Sequence, residues 1–188
     1  MQRPVKIAEA PLNQLTVGAI SHFHCALENT KFTFDGAQEN AISQLTTPAA
    51  NGYYLWGSVG RGKTVLSELY FDALPTSLKR RFHFHSFFHE LQAEIALSGD
   101  PVDVSIERII GSARAVFFDE FHVHDVADAV YLAKTLQILF DRGVLVLLTS
   151  NYEPKGLLPD PIFHDRFIPT IHLIESRMEV ITLGNGQD

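Results

Sequence analysis

The chain has 188 residues, 46% of them hydrophobic, so it is long and apolar enough for one domain with a buried core rather than a disordered segment. Its formal net charge of −7 gives no general attraction to nucleic acid or to an anionic membrane surface. The single cysteine, Cys25, cannot form an internal disulfide, and neither a signal peptide nor a membrane-spanning run is recognisable. We therefore predict a cytoplasmic protein.

The N-terminal residues mix prolines, histidines and short apolar groups without a clear period. We treat residues 1–34 as an N-terminal extension of undetermined structure. Regular patterns begin at Asp35, where "DGAQENAISQL" combines an acidic N-cap with apolar residues at helical spacing. We predict that residues 35–188 form the core domain.

Strands and helices alternate after this first helix. The predicted elements are, in chain order, the strand "GYYLWG", the helix "KTVLSELYFDAL", the strand "RRFHFHSF", the helix "FFHELQAEIALSG", a helix around residues 104–110, the strand "ARAVFFD", the helix "DVADAVYLAKTLQILFDRG", the strand "VLVLLTS", a proline-rich connection over residues 154–169 and the strand "MEVITL". The strands at residues 53–56, 115–118 and 144–149 are apolar throughout, as parallel strands are when helices cover both faces. The pattern predicts a three-layer α/β domain.

A glycine-rich loop lies between the first of these strands and its helix. Its sequence, "GSVGRGKT", matches G-x-x-x-x-G-K-[ST] at every fixed position. Such a loop turns backbone N–H groups around the β-phosphate of a nucleotide, and the helix N-terminus adds positive charge. Lys63 is expected to reach the β- and γ-phosphates, and Thr64 to bind Mg²⁺ through its hydroxyl. A chance match is the alternative, but the flanking strand and helix favour a nucleotide site. The residues predicted to bind ATP are Gly57, Ser58, Val59, Gly60, Arg61, Gly62, Lys63, Thr64 and Val65.

Two carboxylates follow the apolar strand "AVFF". Asp119 comes at the carboxyl end of this strand, where α/β sheets place their ligands, and is expected to orient the magnesium ion. Glu120, the next residue, is the candidate base that activates the attacking water. A glutamate beside the magnesium aspartate favours hydrolysis over nucleotide sensing or phosphate transfer to a small acceptor.

One strand, "RFHFHSF", separates the glycine-rich loop from these carboxylates in sequence. This inserted strand is typical of the subclass of nucleotide-binding proteins in which the strand before the glycine-rich loop and the strand before Asp119 are not neighbours in the sheet. The strand "VLVLLTSN" then lies between them. We therefore predict a five-stranded, mainly parallel sheet with strand order 5-1-4-3-2. Asn151, at the tip of "VLVLLTSN", is predicted to face the γ-phosphate and the attacking water. Capping of the following loop is the alternative for this side chain.

Two pairs of histidines suggest a metal site. His122 and His124 could form a zinc shell with neighbouring acids, but residues two apart point the same way only on a strand. Their segment instead leads to the next helix, whose N-cap we predict to be Asp125. His83 and His85 are predicted to share one strand face, without a third ligand at a suitable spacing. We interpret both pairs as structural or as lining the nucleotide site.

Five motifs of the chain occur together in one known family. They are "GYYLWGSVGRGKT", "HFHSFFHEL", "FDEFHVHDVADA", "LLTSNYEP" and "HDRFIPTI". With them, residues 35–188 resemble the ZapE family of AAA+-like ATPases. The resemblance implies a Mg²⁺-dependent ATPase of bacterial cell division, with mitochondrial relatives linked to the handling of inner-membrane proteins. It also implies that the family pattern continues after "LGNGQD" into a helical lid, which we expect to be absent from this chain.

The resemblance implies two further site residues. Arg166 in "HDRFIP" corresponds to an arginine finger, which would reach the γ-phosphate of a neighbouring subunit and make hydrolysis depend on assembly. On the residues alone, Arg166 could equally pair with Asp165 or Asp160. Gln38 in "DGAQ" lies where the family contacts the nucleotide base.

The leading hypothesis is an ATPase of the AAA+ type that couples hydrolysis to action on a protein partner of the cell-division apparatus. The expected partners are ATP, further copies of the chain and, by peripheral association, a membrane. A nucleic-acid-linked ATPase such as a helicase loader is the alternative, although the tight basic cluster Lys79–Arg81 is small for a duplex track and no nucleic acid is expected. A small-molecule kinase is a further alternative, but such kinases usually carry an arginine-rich lid, and no arginine-rich lid segment is recognisable between the predicted strands. A non-catalytic binding module is the last alternative.

Overall fold

Five parallel strands form the sheet at the centre of the molecule. The computed structural model describes residues 12–123, 126–160 and 162–184. The strands are β1 (Gly52–Trp56), β2 (Lys79–His83), β3 (Ala115–Phe121), β4 (Leu145–Ser150) and β5 (Glu179–Thr182). They lie in the order β2-β3-β4-β1-β5, and all neighbouring strands run parallel. Read from the opposite edge, this is the predicted order, so the predicted sheet is confirmed.

Helices cover both faces of the sheet. They are α1 (Leu12–Glu28), α2 (Gly36–Leu45), α3 (Lys63–Ala73), α4 (Phe84–Ser98), α5 (Val102–Ile110), α6 (Val126–Asp141) and α7 (His164–Arg177). In β1, Tyr53 and Leu55 pack with α1, α2 and α3, whereas Tyr54 packs with α4 to α7. Because both faces of the strand are buried, its sequence is apolar throughout. Within the described residues, no helix combines the length and apolar character needed to cross a bilayer.

Helix α2 begins where the sequence predicts, with a capping box at Asp35. The Asp35 carboxylate accepts a hydrogen bond of 2.9 Å from the backbone N–H of Gln38. In return, the Gln38 side-chain oxygen accepts one of 2.9 Å from the backbone N–H of Asp35. Two N–H groups that the helix itself leaves unpaired are thereby satisfied.

The predicted strand "RRFHFHSF" is too long. β2 ends at His83, and α4 begins at Phe84. The reason is a competing helical pattern: the buried residues of α4 are Phe84, Phe87, Phe88 and Leu91. Their spacing of three and four residues matches one helix face and outweighs the two-residue alternation of "FHFH". His85 therefore lies on a helix, and the prediction that His83 and His85 share a strand face is wrong.

The predicted connection over residues 154–169 is also wrong in its second half. A 3-10 turn forms at Pro154–Gly156, but α7 starts at His164 and contains Pro169. Phe167, Ile171 and Ile174 are buried on one face of α7 and pack into the core. Burial of this face outweighs the backbone hydrogen bond that Pro169 cannot donate.

The N-terminal segment, for which the sequence shows no clear period, contains helix α1. Its face of Leu15, Ala19 and Phe23 is fully buried. The Phe23 ring meets the Tyr70 ring of α3 edge to face, with 5.3 Å between the centroids. Helix α1 therefore supports α3, the helix that follows the glycine-rich loop.

Replacing Phe23 with alanine should test this support. We expect the Phe23→Ala variant to lose about 3 kcal/mol of unfolding free energy, because a fully buried aromatic side chain is removed. Urea denaturation followed by circular dichroism measures the loss. Phe32→Ala is the matched control, since Phe32 is 62% exposed and its removal should leave stability nearly unchanged. Equal stability of the two variants would contradict the packing of α1.

Candidate functional site

The carboxyl ends of β3 and β4 border one cavity of about 410 Å³. The start of α3 and the glycine-rich loop close its other side. The residues lining this cavity are Val59, Gly60, Arg61, Gly62, Lys63, Thr64, Val65, Asp119, Glu120, Thr149, Ser150 and Asn151. The fold therefore brings residues 59–65 of the predicted loop, both carboxylates and Asn151 together, whereas Gly57 and Ser58 do not line the cavity.

Two glycines of the loop are required by its geometry. A β-carbon at Gly57 would lie 2.2 Å from the backbone oxygen of Leu183, so no larger residue fits there. Gly62 has a φ of 80°, in the left-handed region that favours glycine, and a β-carbon there would lie 2.8 Å from the Gln38 side chain. That side chain donates a hydrogen bond of 3.1 Å to the Arg61 carbonyl. Gln38 thus supports the loop backbone, while its predicted contact with a base stays a prediction.

Lys63 is the first residue of α3, and its ammonium group lies inside the loop. Its Nζ donates to the carbonyl oxygens of Gly57 and Ser58, at 2.7 and 2.8 Å. It also donates to Asn151 Oδ1 at 3.0 Å, which is a direct contact between the loop and the tip of β4. Burial lowers the pKa of Lys63 below its ordinary value, and the nearby Asp119 charge opposes this shift. The loop therefore holds a cation where phosphates are expected.

The other loop residues have different surroundings. The Arg61 guanidinium donates to the Gly184 carbonyl at 3.0 Å and lies 3.8 Å from the Asp35 carboxylate. Val59 lines the cavity but is 80% exposed. Arg61 therefore connects the loop to the end of β5, a role that its sequence position did not reveal.

Asp119 lies at the centre of a hydrogen-bond network. Its Oδ1 accepts hydrogen bonds from the Thr64 hydroxyl at 3.0 Å, from the Thr149 hydroxyl and from the Glu120 N–H at 3.1 Å. Its Oδ2 accepts one of 2.9 Å from Arg81. Burial alone raises the pKa of this carboxyl, but the hydrogen bonds from Thr149, Arg81 and Thr64 outweigh it and leave the pKa below its ordinary value. Asp119 is therefore ionised at neutral pH.

The pair Thr64 and Asp119 fits a magnesium ion. A hydroxyl and an ionised carboxylate are the oxygen ligands that Mg²⁺ prefers, and it commonly binds with one carboxylate plus substrate phosphates. The hydrogen bond between the two side chains brings both oxygens to the same point of the cavity. Within the described part of the chain, no three His, Cys, Asp or Glu side chains converge to hold a metal ion by themselves.

Glu120 has an unusual backbone. The pairing of β3 with β4 is irregular between Phe118 and Phe121, and Glu120 has a φ of 56°. Its N–H donates to Asp119 and, at 3.2 Å, to the Thr149 hydroxyl, which holds this conformation. The Glu120 side chain is exposed at the cavity. A left-handed conformation costs free energy in a non-glycine residue and is concentrated at functional sites.

Arg81 is the residue of this network that the sequence did not indicate. In sequence it belongs to the basic cluster Lys79–Arg81, which suggests an exposed surface. In the fold it lies on β2, next to β3, and contacts Asp119 and Glu68. The predicted strand order was a partial signal, because it places β2 beside the strand that carries Asp119 without giving the register of the two strands.

Arg166 lies outside this cavity, in the first turn of α7. It lines a second cavity of about 580 Å³, whose other lining residues include Phe163 and Phe167. The residue is exposed, and in the described ranges it forms no ion pair with Asp165 or Asp160. Arg166 is therefore free of the intramolecular pairing that its sequence neighbours suggested.

The histidines near Glu120 form a ring contact. His122 Nδ1 lies 2.6 Å from the Glu120 carbonyl oxygen. The rings of His122 and His85 meet at 4.3 Å between centroids and at 78°, so α4 contacts the segment after β3. His124 and Asp125 lie outside the described residues, and the predicted N-cap at Asp125 stays a prediction.

Comparisons with known proteins show to which family the chain belongs. The model of the AFG1-like ATPase family matches residues 40–188. The chain is 38% identical over 140 residues to the cell division protein ZapE of Escherichia coli K12, covering 73% of this chain and 37% of that protein. It is 31% identical over 151 residues to lactation elevated protein 1 homolog B of Danio rerio, covering 73% and 30%. The chain thus spans about a third of the length of these relatives.

Among solved structures, the fold is similar to that of DnaI. The TM-score is 0.64 at 16% identity, and the match covers 86% of this chain and 92% of DnaI. At this identity the likeness shows a shared fold only. The AFG1-like ATPase family model matches most of the chain. This match agrees with the resemblance to the ZapE family that the sequence motifs indicate. The chain belongs to the AFG1-like ATPase family.

Proposed function

We propose that this chain binds ATP together with Mg²⁺ and hydrolyses it to ADP and phosphate. One observation carries the proposal: Lys63, Asp119 and Asn151, from three separate elements, meet at one cavity beside the glycine-rich loop. Family membership supports the same reaction class. Each of these side chains has a chemical task in the transfer of the γ-phosphoryl group to water.

The loop would bind the triphosphate through its N–H groups. The Lys63 ammonium, which now donates to the carbonyls of Gly57 and Ser58, would donate to the β- and γ-phosphate oxygens instead. Thr64 and Asp119 would hold the magnesium ion. When bound, this ion supplies positive charge that stabilises the charge developing on the phosphate oxygens.

Water is the acceptor in the proposed reaction. Its oxygen forms a bond to the γ-phosphorus, the bond from that phosphorus to the β–γ bridging oxygen breaks, and ADP leaves with the electron pair. Glu120 accepts the proton that the water loses. Asn151 is the candidate for orienting the γ-phosphate, because its amide already contacts Lys63.

We further propose that the ATPase acts as a homo-oligomer in which Arg166 reaches the nucleotide of a neighbouring subunit. Its exposure, without an ion pair in the described residues, is what such a role requires.

The name of the Escherichia coli relative motivates a protein partner in cell division, and with it a cytoplasmic location and peripheral contact with a membrane. In this proposal residues 35–188 are the ATPase core, and the segment before it supports α3 through Phe23.

The nucleic-acid alternative depends on the basic cluster Lys79–Arg81. In the structure, Lys79 donates to the carbonyls of Phe71 and Asp72, and Arg80 donates to the Ile109 carbonyl. Arg81 pairs with carboxylates. These cations already have intramolecular partners, which favours the protein-directed ATPase. Hydrolysis that rises with single-stranded DNA and falls steeply with salt would favour the alternative instead.

Phosphate release by the wild-type chain and by Lys63→Ala tests the proposed reaction. Loss of a charged hydrogen-bonding group should weaken ATP binding by about 10- to 100-fold, with hydrolysis reduced accordingly. Isothermal titration calorimetry measures the binding. Lys155→Ala is the control, because Lys155 is exposed and does not line the cavity. Unchanged affinity in Lys63→Ala, or transfer of phosphate to a small acceptor without phosphate release, would refute the proposal.

A further inference from the structure

Arg81, on β2, contacts two elements that border the cavity beside the glycine-rich loop, β3 and α3. From β2, its Nη2 donates to Asp119 Oδ2 of β3 at 2.9 Å, and its Nη1 forms an ion pair with Glu68 of α3. The guanidinium carbon lies 5.0 Å from the centroid of the Phe117 ring. The side chain is therefore held by two carboxylates and an aromatic face, although it is 38% exposed.

The contact with Asp119 matters because that residue is only 2% exposed. A buried carboxylate is costly unless its oxygens are hydrogen-bonded and its charge is compensated. Oδ1 accepts hydrogen bonds from Thr64, Thr149 and the Glu120 N–H, whereas Oδ2 accepts one from Arg81. Donors on both oxygens fix the plane of the carboxylate as well as its position.

We propose that Arg81 is a positioning residue of the magnesium site. It fixes the Asp119 carboxylate in the orientation that presents Oδ1 to Thr64, and Glu68 in turn aligns Arg81. This inference rests on the proposed function, because it assumes that Thr64 and Asp119 hold the metal. Arg81 itself touches neither metal nor nucleotide.

Arginine is suited to this position because its guanidinium is planar and has several donors. One edge can reach Asp119 while another reaches Glu68, and the flat group rests over the Phe117 ring. A lysine would keep the positive charge but lacks the two-sided geometry. The Arg81→Lys variant should therefore keep only part of the Mg²⁺ affinity that the Arg81→Ala variant loses.

A purely electrostatic effect of Arg81 predicts the opposite result. A fixed positive charge beside Asp119 repels a divalent cation, so its removal would strengthen metal binding. Positioning predicts that removal weakens metal binding, because the carboxylate then loses its defined orientation. The sign of the change separates the two effects.

The experiment measures binding of a fluorescent ATP analogue while MgCl₂ is titrated, with an EDTA sample as the metal-free reference. For Arg81→Ala we expect the half-saturating Mg²⁺ concentration to rise about 10-fold, as is typical when a partner of a metal ligand is lost. Binding in EDTA should not change. Arg81→Lys should lie between alanine and wild type, and Glu68→Gln should shift the value in the same direction by less.

Arg80→Ala is the matched control. Arg80 is the preceding residue of β2 but contacts the Ile109 carbonyl and Glu90 instead of Asp119. Its removal should leave the Mg²⁺ dependence unchanged. Circular dichroism checks folding, and if Arg81→Ala does not fold, Arg81→Lys and Glu68→Gln decide the question.

Two results would overturn this inference without refuting the proposed function. In the first, Arg81→Ala has the same half-saturating Mg²⁺ concentration as the wild-type chain. In the second, the half-saturating concentration of Arg81→Ala is lower than that of the wild type. Nucleotide binding by the wild-type chain that does not respond to Mg²⁺ would refute the proposed metal site and the inference with it. Because binding is the readout, slow or absent hydrolysis does not obscure the result.

Discussion

The Glu120→Gln variant is expected to bind ATP as the wild-type protein does but to release phosphate at least about 100-fold more slowly. Glutamine has nearly the same size and can accept the same backbone φ of 56°, so the shape of the site is retained. Its amide cannot accept a proton from the attacking water. The loss should therefore fall on turnover and leave nucleotide affinity unchanged.

Phosphate release at saturating ATP and Mg²⁺, with calorimetric ATP binding beside it, checks this expectation. Glu107→Gln is the control, because Glu107 is an exposed glutamate on α5 and its replacement removes the same charge elsewhere. Hydrolysis by Glu120→Gln at the wild-type rate would show that another group accepts the proton. A loss of binding that accounts for the whole loss of rate would place Glu120 in nucleotide binding instead.

The sequence was sufficient for those parts of the site that depend on local patterns. The glycine-rich loop is contiguous, and Asp119 and Glu120 directly follow an apolar strand. The strand order then follows from the inserted strand β2, and it predicts that Asn151 lies near the loop. The contact between Asn151 and Lys63 is consistent with that reasoning.

Features that depend on long-range contacts were not predictable in this way. The contact between Arg81 and Asp119 requires the register of β2 against β3, in which Arg81 lies opposite Phe117 and His83 opposite Asp119. The left-handed backbone of Glu120 is held by Thr149 from another strand. Neither residue carries a local signal for these contacts, since an arginine in a basic cluster usually faces solvent.

Competing local patterns explain the errors in the fold. "FHFHSF" satisfies strand alternation at its start and helical spacing from Phe84 onward, and only burial of the Phe84, Phe87 and Phe88 face decides between them. Pro169 argues against a helix locally, yet α7 buries enough apolar surface to include it. In both cases tertiary packing outweighs the local preference.

The Arg166→Ala variant is expected to bind ATP normally and to lose about 1,000-fold or more of its hydrolysis rate, as loss of an arginine finger does in other phosphoryl-transfer enzymes. Arg166 lines a different cavity from the glycine-rich loop, so within one subunit it is not part of the nucleotide site. If Arg166 acts on the γ-phosphate as proposed, it must do so in a neighbouring copy. Arg177→Ala, an exposed arginine in the last turn of α7, is the control and should keep the wild-type rate.

Mixing two inactive variants distinguishes action on a neighbour from action within the subunit. Lys63→Ala subunits keep Arg166 but bind nucleotide poorly, whereas Arg166→Ala subunits keep the nucleotide site. In a head-to-tail assembly with random mixing, about a quarter of the interfaces combine an intact site with an intact arginine, so a corresponding share of wild-type activity should return. Activity of Arg166→Ala that no mixing restores would show that the arginine acts within its own chain. A wild-type rate per subunit that does not depend on protein concentration at high dilution would also count against action across an interface.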